Sequence, residues 1–177
     1  EQKVCLGNAL LSRYPILSSE NWDLPRVPGL ANRAILAVHV RVEEEHRLAL
    51  YVTHLDFILE PLRWTQLTRV IEMLRQSNGL PHWLMGDFNA PSGSIRRWQW
   101  LAAPIIHRLR VSGYVDAFLA SGWGRGATFP ADRPLLRLDY LFVKEAWARG
   151  LRRCWTLSGQ LARQASDHRP VVVEWEV

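Results

Sequence analysis

Gly86-Asp87-Phe88-Asn89-Ala90-Pro91 follows Pro81-His82-Trp83-Leu84-Met85, an apolar run short enough to be a buried strand. Pro91-Ser92-Gly93 then reads as a turn that stops the strand. With Leu84 to Asn89 extended, side chains alternate with period two, so Asp87 and Asn89 leave the strand on one face. The carboxylate can orient a water or bind a hard cation, and the amide can donate a hydrogen bond to a phosphate oxygen. The same residues are also open to being an Asx-rich turn that merely closes a strand.

Outward from this stretch the chain divides into short apolar runs. Val4 to Leu17 reads as a strand stopping near Pro15, and residues 18–32, with Pro25, Pro28 and Gly29, as a loop. Ala34 to Val42 and Arg47 to Asp56 flank the polar turn Glu43 to His46, which predicts an antiparallel hairpin. The second of these strands ends in Thr53-His54-Leu55-Asp56. Pro61 opens a helix in which Trp64, Leu67, Val70, Ile71 and Leu74 recur at helical spacing until Ser77-Asn78-Gly79, with Trp64 expected in the core. Residues 94–113, with Pro104 inside, read as one helix or two short ones, and Gly122 to Gly126 as a flexible loop. Trp123 in that loop is open to stacking on a base or to packing down on the sheet. Arg137 to Val143 is a strand with Asp139 in its middle, a position where a carboxylate is costly unless bonded. Residues 151–157 form another strand, and Ser166-Asp167-His168-Arg169-Pro170 feeds a last one, Val171 to Val177. Strands outnumber helices and neighbours look antiparallel, so an α+β sandwich is expected rather than a doubly wound parallel sheet.

At 177 residues, 48% hydrophobic and 22% charged, the chain has the composition of one soluble globular domain. No apolar run approaches the roughly 20 residues of a transmembrane helix, and no signal peptide is read. Cys5 and Cys154 are too few for a disulfide scaffold, so reduced thiols and a cytoplasmic location are expected. Arginine supplies all the basic residues except Lys3 and Lys144, and the net charge is +5. That balance suits a polyanion, because guanidinium forks onto phosphate; an arginine-rich genome would give the same skew.

Four separated segments put hydrolytic residue types at or inside strands: Thr53-His54-Leu55, Gly86-Asp87-Phe88-Asn89, Leu138-Asp139-Tyr140 and Ser166-Asp167-His168. Together with Gly7-Asn8-Ala9-Leu10-Leu11-Ser12-Arg13-Tyr14-Pro15-Ile16, their order resembles the endonuclease/exonuclease/phosphatase superfamily over nearly the whole chain. The resemblance implies a four-layer α/β/β/α sandwich of the DNase I kind and hydrolysis of a phosphoester, DNA or RNA among the substrates, with Mg²⁺ or Mn²⁺. It implies His168 as base or charge stabiliser for the attacking water, Asp139 as holder of its ring, and Asp87 as positioner of the water or a metal. Asn89 would bind the phosphate and Asp167 would ligate Mg²⁺. His54 would stabilise the pentavalent phosphate or protonate the leaving oxygen, with Asn8 and Arg33 near the phosphate.

In that superfamily two further strands precede the segment matched by residues 7–16, carrying an asparagine and a Gln-Glu pair whose glutamate is the principal metal ligand. Neither motif is present, so the 177 residues are expected to be the C-terminal two-thirds of a single domain of roughly 250 residues, its sandwich incomplete at the N-terminus. A partner chain or swapped segment that completes the sheets is the other expectation. A phosphodiesterase or nuclease is favoured over a phosphomonoesterase acting on a small substrate, and over an inactive fragment or binding module of the same fold.

Overall fold

The protein is described by a computed structural model that covers residues 7–43, 46–77, 79–92 and 99–176. Its contacts divide the chain into two compact units, residues 1–85 and 86–177.

In the first unit, β1 (Ile16–Asp23), β2 (Ala34–Arg41) and β3 (Arg47–His54) form an antiparallel meander, with Ala34 opposite Asp23 and Ile35 opposite Thr53. The strand expected over Val4 to Leu17 instead begins at Ile16, after the proline, and runs through residues read from the sequence as loop. β1 is an edge strand exposed along nearly its whole length, so it carries no apolar alternation; its pairing with β2 makes it a strand. Residues 1–6 and the centre of the Glu43–His46 turn lie outside the described residues.

Helix α1 (Glu60–Leu74) begins where expected, with Pro61 in its first turn, a position that needs no backbone N–H. Asp56 sits ahead of it, its Oδ1 accepting from the N–H groups of Ile58 (2.9 Å) and Leu59 (2.7 Å). Leu62, Leu67, Val70, Ile71 and Leu74 are buried at helical spacing, each contributing about 1.5–3 kcal/mol of apolar burial. The fully buried Gln66 is satisfied at both ends: its Oε1 accepts from Asp56 N–H (2.8 Å) and its Nε2 donates to the Pro25 carbonyl (3.0 Å). Trp64, expected in the core, is 38% exposed, because it falls beside the buried stripe.

The strand β4 spans His82–Ser92. It does not stop at Pro91 but continues through Ser92. The strand order is β1-β2-β3-β4 in the first unit. In the second it is β4-β6-β5, with β5 (Tyr114–Asp116) antiparallel to β6 (Arg137–Lys144). Of the stretch 94–113, the described part contains the helix α2 (Gln99–Val111), with Pro104 inside it; residues 93–98 lie outside the described residues. Next come α3 (Ala117–Ser121), a 3₁₀ turn (Glu145–Gly150), β7 (Leu151–Thr156), α4 (Gln160–Ala165) and β8 (Val171–Trp175). The strands β7 and β8 make a separate antiparallel pair.

The second unit is knit by aromatic and ionic contacts. Phe88, Tyr140 and Phe142 pack ring on ring at 5.3–5.6 Å between centroids, and the Tyr140 hydroxyl donates to the Ala90 carbonyl (2.6 Å), tying β6 to β4. Arg137 forks onto Asp116 with bonds of 2.8 and 2.7 Å, both side chains buried. The Asp116 carboxylate also accepts from Phe118 and Leu119 N–H, capping α3.

Candidate active site

Along β4, Phe88 and Ala90 point into the core while Asp87 and Asn89 stay half-buried, so the alternation read from the sequence puts the two polar residues on one face. Asn89 has φ +47°, and its N–H donates to Asp87 Oδ1 (2.8 Å), which fixes the carboxylate. This left-handed backbone is tolerated by asparagine better than by most side chains. The Asx-turn geometry and the shared strand face thus coexist at one place.

Asp139 lies on the neighbouring strand β6. Its N–H (3.4 Å) and that of Leu138 (3.1 Å) both point at Thr128 Oγ1, a fully buried hydroxyl. His168 arrives on the segment before β8. That segment is fixed by its backbone: Asp167 carbonyl accepts from Ala131 N–H (2.7 Å) and Arg169 N–H donates to the Thr128 carbonyl (2.8 Å). His168 N–H donates to Ser166 Oγ (3.0 Å), and the imidazole lies 4.9 Å from the Phe129 ring.

These supports bring three predicted residues together. His168 Nδ1 is 2.7 Å from Asp139 Oδ2, and His168 Nε2 is 4.0 Å from Asp87 Oδ2. The nearer contact is a short hydrogen bond, with Nδ1 donating when Nε2 carries the lone pair. The farther one is too long for a direct bond and within reach of one oxygen held by both groups. Burial pushes the imidazole pKa down, but the Asp139 bond and the charges of Asp139, Asp87 and Asp167 outweigh it, so the pKa lies above its ordinary 6.5.

Asp87, Asp139 and His168 also form a group whose donor atoms could converge on a metal ion. The Asp139–His168 bond already occupies one donor from each residue, which leaves oxygens of Asp87 as the member of that group suited to a hard cation. Asp167, predicted as a ligand, is exposed beside this group, its Oδ1 receiving only a long contact from Ser166 Oγ (3.5 Å). That group does not include Asp167; a divalent ion such as Mg²⁺ needs only one or two carboxylates and completes its shell with water and phosphate oxygens.

The other predicted residues belong to the first unit. Asn8, Arg33 and His54 line one cavity of about 180 Å³, with Asn21, Asp23 and Asn32. Asn8 Nδ2 donates to the Ala34 carbonyl (2.8 Å), and Thr53, beside His54, donates its hydroxyl to the same carbonyl (3.2 Å). Arg33 is only 6% exposed and its Nε has no hydrogen-bond partner among the described residues. Sequence reasoning passed over Thr128 and Phe129, which meet the site across segments distant in the chain, and Thr128-Phe129-Pro130 sits at the end of a glycine-rich stretch that reads as loop. Ser166 was read as part of the Ser166-Asp167-His168 segment, and its hydroxyl meets the His168 N–H two residues on.

The model of the Endonuclease/Exonuclease/phosphatase family matches residues 6–168. The chain belongs to this family. It is 35% identical over 176 residues to the uncharacterized protein YbhP of Escherichia coli (strain K12), a match covering 95% of this chain and 62% of that relative. YbhP of Shigella flexneri matches to the same extent, so the chain spans less than two-thirds of the length of the curated relatives it matches. Among solved structures, a mannosyl-6-phosphatase of Bacteroides thetaiotaomicron superposes with a TM-score of 0.72 at 19% identity, over 93% of this chain and 67% of that one. A Neisseria 3′ phosphatase, NExo, bound to product DNA hairpin superposes with a TM-score of 0.69 at 20% identity, over 94% and 73%. The expected α+β, DNase I-like class is therefore the fold of this member of the endonuclease/exonuclease/phosphatase family. No helix among the described residues is long and apolar enough to cross a membrane.

Proposed function

We propose that the protein is a metal-dependent hydrolase of phosphoester bonds, with His168 at its reaction centre. The observation that carries this reading is the 2.7 Å bond between His168 Nδ1 and Asp139, with Nε2 facing Asp87 across 4.0 Å. A carboxylate on one ring nitrogen sets the tautomer and raises the basicity of the other, which is what a base for water needs. Membership of the endonuclease/exonuclease/phosphatase family supports the same chemistry.

In this reading Nε2 takes the proton of the attacking water, which Asp87 holds as a second acceptor. Asp139 keeps the imidazole oriented and stabilises the imidazolium once the proton has moved. Asn89 supplies an amide donor to a phosphate oxygen. Asp87 and Asp167 would hold the divalent ion, Mg²⁺ or Mn²⁺, which when bound offsets charge on the phosphate oxygens. From the first unit, Arg33 and Asn8 are assigned to substrate oxygens and His54 to the pentavalent phosphate or the leaving oxygen. Arg33 Nε, which has no partner among the described residues, supports its part, because a buried guanidinium donor without a partner is costly until an anion meets it.

The test is turnover of bis(p-nitrophenyl) phosphate with Mg²⁺ or Mn²⁺ by the full-length natural protein and its His168→Ala variant. Metal-dependent turnover at least about a hundredfold above the variant is expected. Equal rates for the two proteins would sink the reading and favour a binding module of the same fold.

A further inference from the structure

A groove of about 460 Å³ in the second unit is lined by Trp123, Arg125, Arg133 and Arg169 among others, and no carboxylate of the described residues lines it. A larger depression bordered by His107, Arg110 and Glu145 carries both signs of charge and selects nothing. The arginine groove differs in three respects.

First, its charge is uncompensated. Arg125 and Arg133 are exposed and, among the described residues, take part in no ion pair, while Arg169 donates its Nε to the Ala131 carbonyl (2.8 Å). Three guanidiniums around one concavity repel one another, and an anion relieves that while accepting their forked donors.

Second, Trp123 does not pack down. Its indole is 73% exposed although its backbone is anchored, the N–H donating to the Cys154 carbonyl (2.8 Å). The loop beyond it turns through Gly124 (φ +82°) and Gly126 (φ +66°), and a Cβ on Gly126 would strike the Phe118 ring. The indole is thus presented by a formed loop, and an exposed aromatic face beside cations suits a planar ring attached to phosphate.

Third, the groove adjoins the reaction centre through the chain itself. Arg169 follows His168, and Ala127, in the groove wall, precedes the Thr128 whose hydroxyl receives Asp139 N–H.

We propose that this groove binds a second, non-scissile phosphate together with the base of a nucleotide, so that the substrate of the His168 site is a nucleotide carrying at least two phosphates. This rests on the phosphoesterase reading for the chemistry, though not for the binding. Arg125, Arg133 and Arg169 take the second phosphate, and Trp123 stacks on the base. A volume of about 460 Å³ lies within the usual range for small-molecule sites.

The experiment is calorimetric titration of the full-length natural protein in EDTA with adenosine 3′,5′-bisphosphate, adenosine 5′-monophosphate and inositol 1,4-bisphosphate. The adenosine bisphosphate is expected to bind at least about tenfold more tightly than either of the others. Its advantage over the monophosphate is lost in Arg125→Ala/Arg133→Ala. Its advantage over the inositol bisphosphate, which has no aromatic base to stack, is lost in Trp123→Ala and retained in Trp123→Phe. All these side chains are exposed, and circular dichroism checks that the variants fold. Equal affinity for the three ligands, or advantages that persist in the variants, overturns the proposal. Binding in EDTA is independent of turnover: loss of preference with intact bis(p-nitrophenyl) phosphate hydrolysis sinks the groove alone, and the reverse result sinks the phosphoesterase reading alone.

Discussion

The two ring nitrogens of His168 have different neighbours, a carboxylate in bonding contact on one side and a carboxylate just out of contact on the other. The proposed proton transfer rests on that asymmetry. A neutral amide in place of Asp139 can still accept from Nδ1, but it carries no charge to stabilise an imidazolium. Asp139→Asn is therefore expected to lower kcat on bis(p-nitrophenyl) phosphate by about 10²–10⁴-fold while KM changes little. A fall of less than threefold would remove Asp139 from the proton transfer. The candidacy of Asp87, Asn89, Asp139 and His168 was legible residue by residue, because each is a polar group beside or within an apolar strand. Their bonding was not: Asp139 and His168 are separated by 29 positions, and no local period reports a partner so distant.

Among the elements, β5, α3 and β6 are joined by a buried ion pair as well as by the pairing of β5 with β6. Asp116 ends β5, caps α3 and receives both guanidinium donors of Arg137, which stands two residues before Asp139. Arg137 is further covered by the rings of Phe118 (5.2 Å) and Tyr140 (4.5 Å). Arg137→Met leaves the Asp116 charge buried without its partner, and urea unfolding is expected to show a loss of about 3–5 kcal/mol. Asp116→Asn/Arg137→Met is expected to recover part of that loss, since no lone charge remains and asparagine still caps α3. A double variant less stable than the single one would mean that Asp116 contributes chiefly through something other than this pair. Element by element, the sequence is most readable where one face is buried, as in α1 and the β2–β3 hairpin. It is least readable at β1, exposed on both faces, and at α4, which has no buried residue.

For the molecule as a whole, Cys154 reports on opening of the packed structure around it. The thiol is 1% exposed, and its pKa is pushed up to about 11, by burial first and by the Asp116 charge second, with Arg137 opposing. A thiol released by unfolding ionises from its ordinary value of 9.0, so the folded state binds the extra proton between pH 9.0 and about 11. The stability this contributes is full below that window and is lost as pH rises through it. In a Cys5→Ser background, iodoacetamide at pH 8 is expected to label Cys154 only at the rate of opening, and promptly in 8 M urea. Prompt labelling of the native protein would contradict this burial. By itself the sequence determined which residues are candidates for phosphoester chemistry, the α+β class and the resemblance to one family, because burial period and residue type are written locally along the chain. Tertiary structure alone decided that Thr128 holds the Asp139 backbone, that Asp139 grips His168, and that Trp123 stands out of its loop among arginines. Those are contacts between distant segments, and alternation along a strand states which face a side chain takes without stating what meets it there.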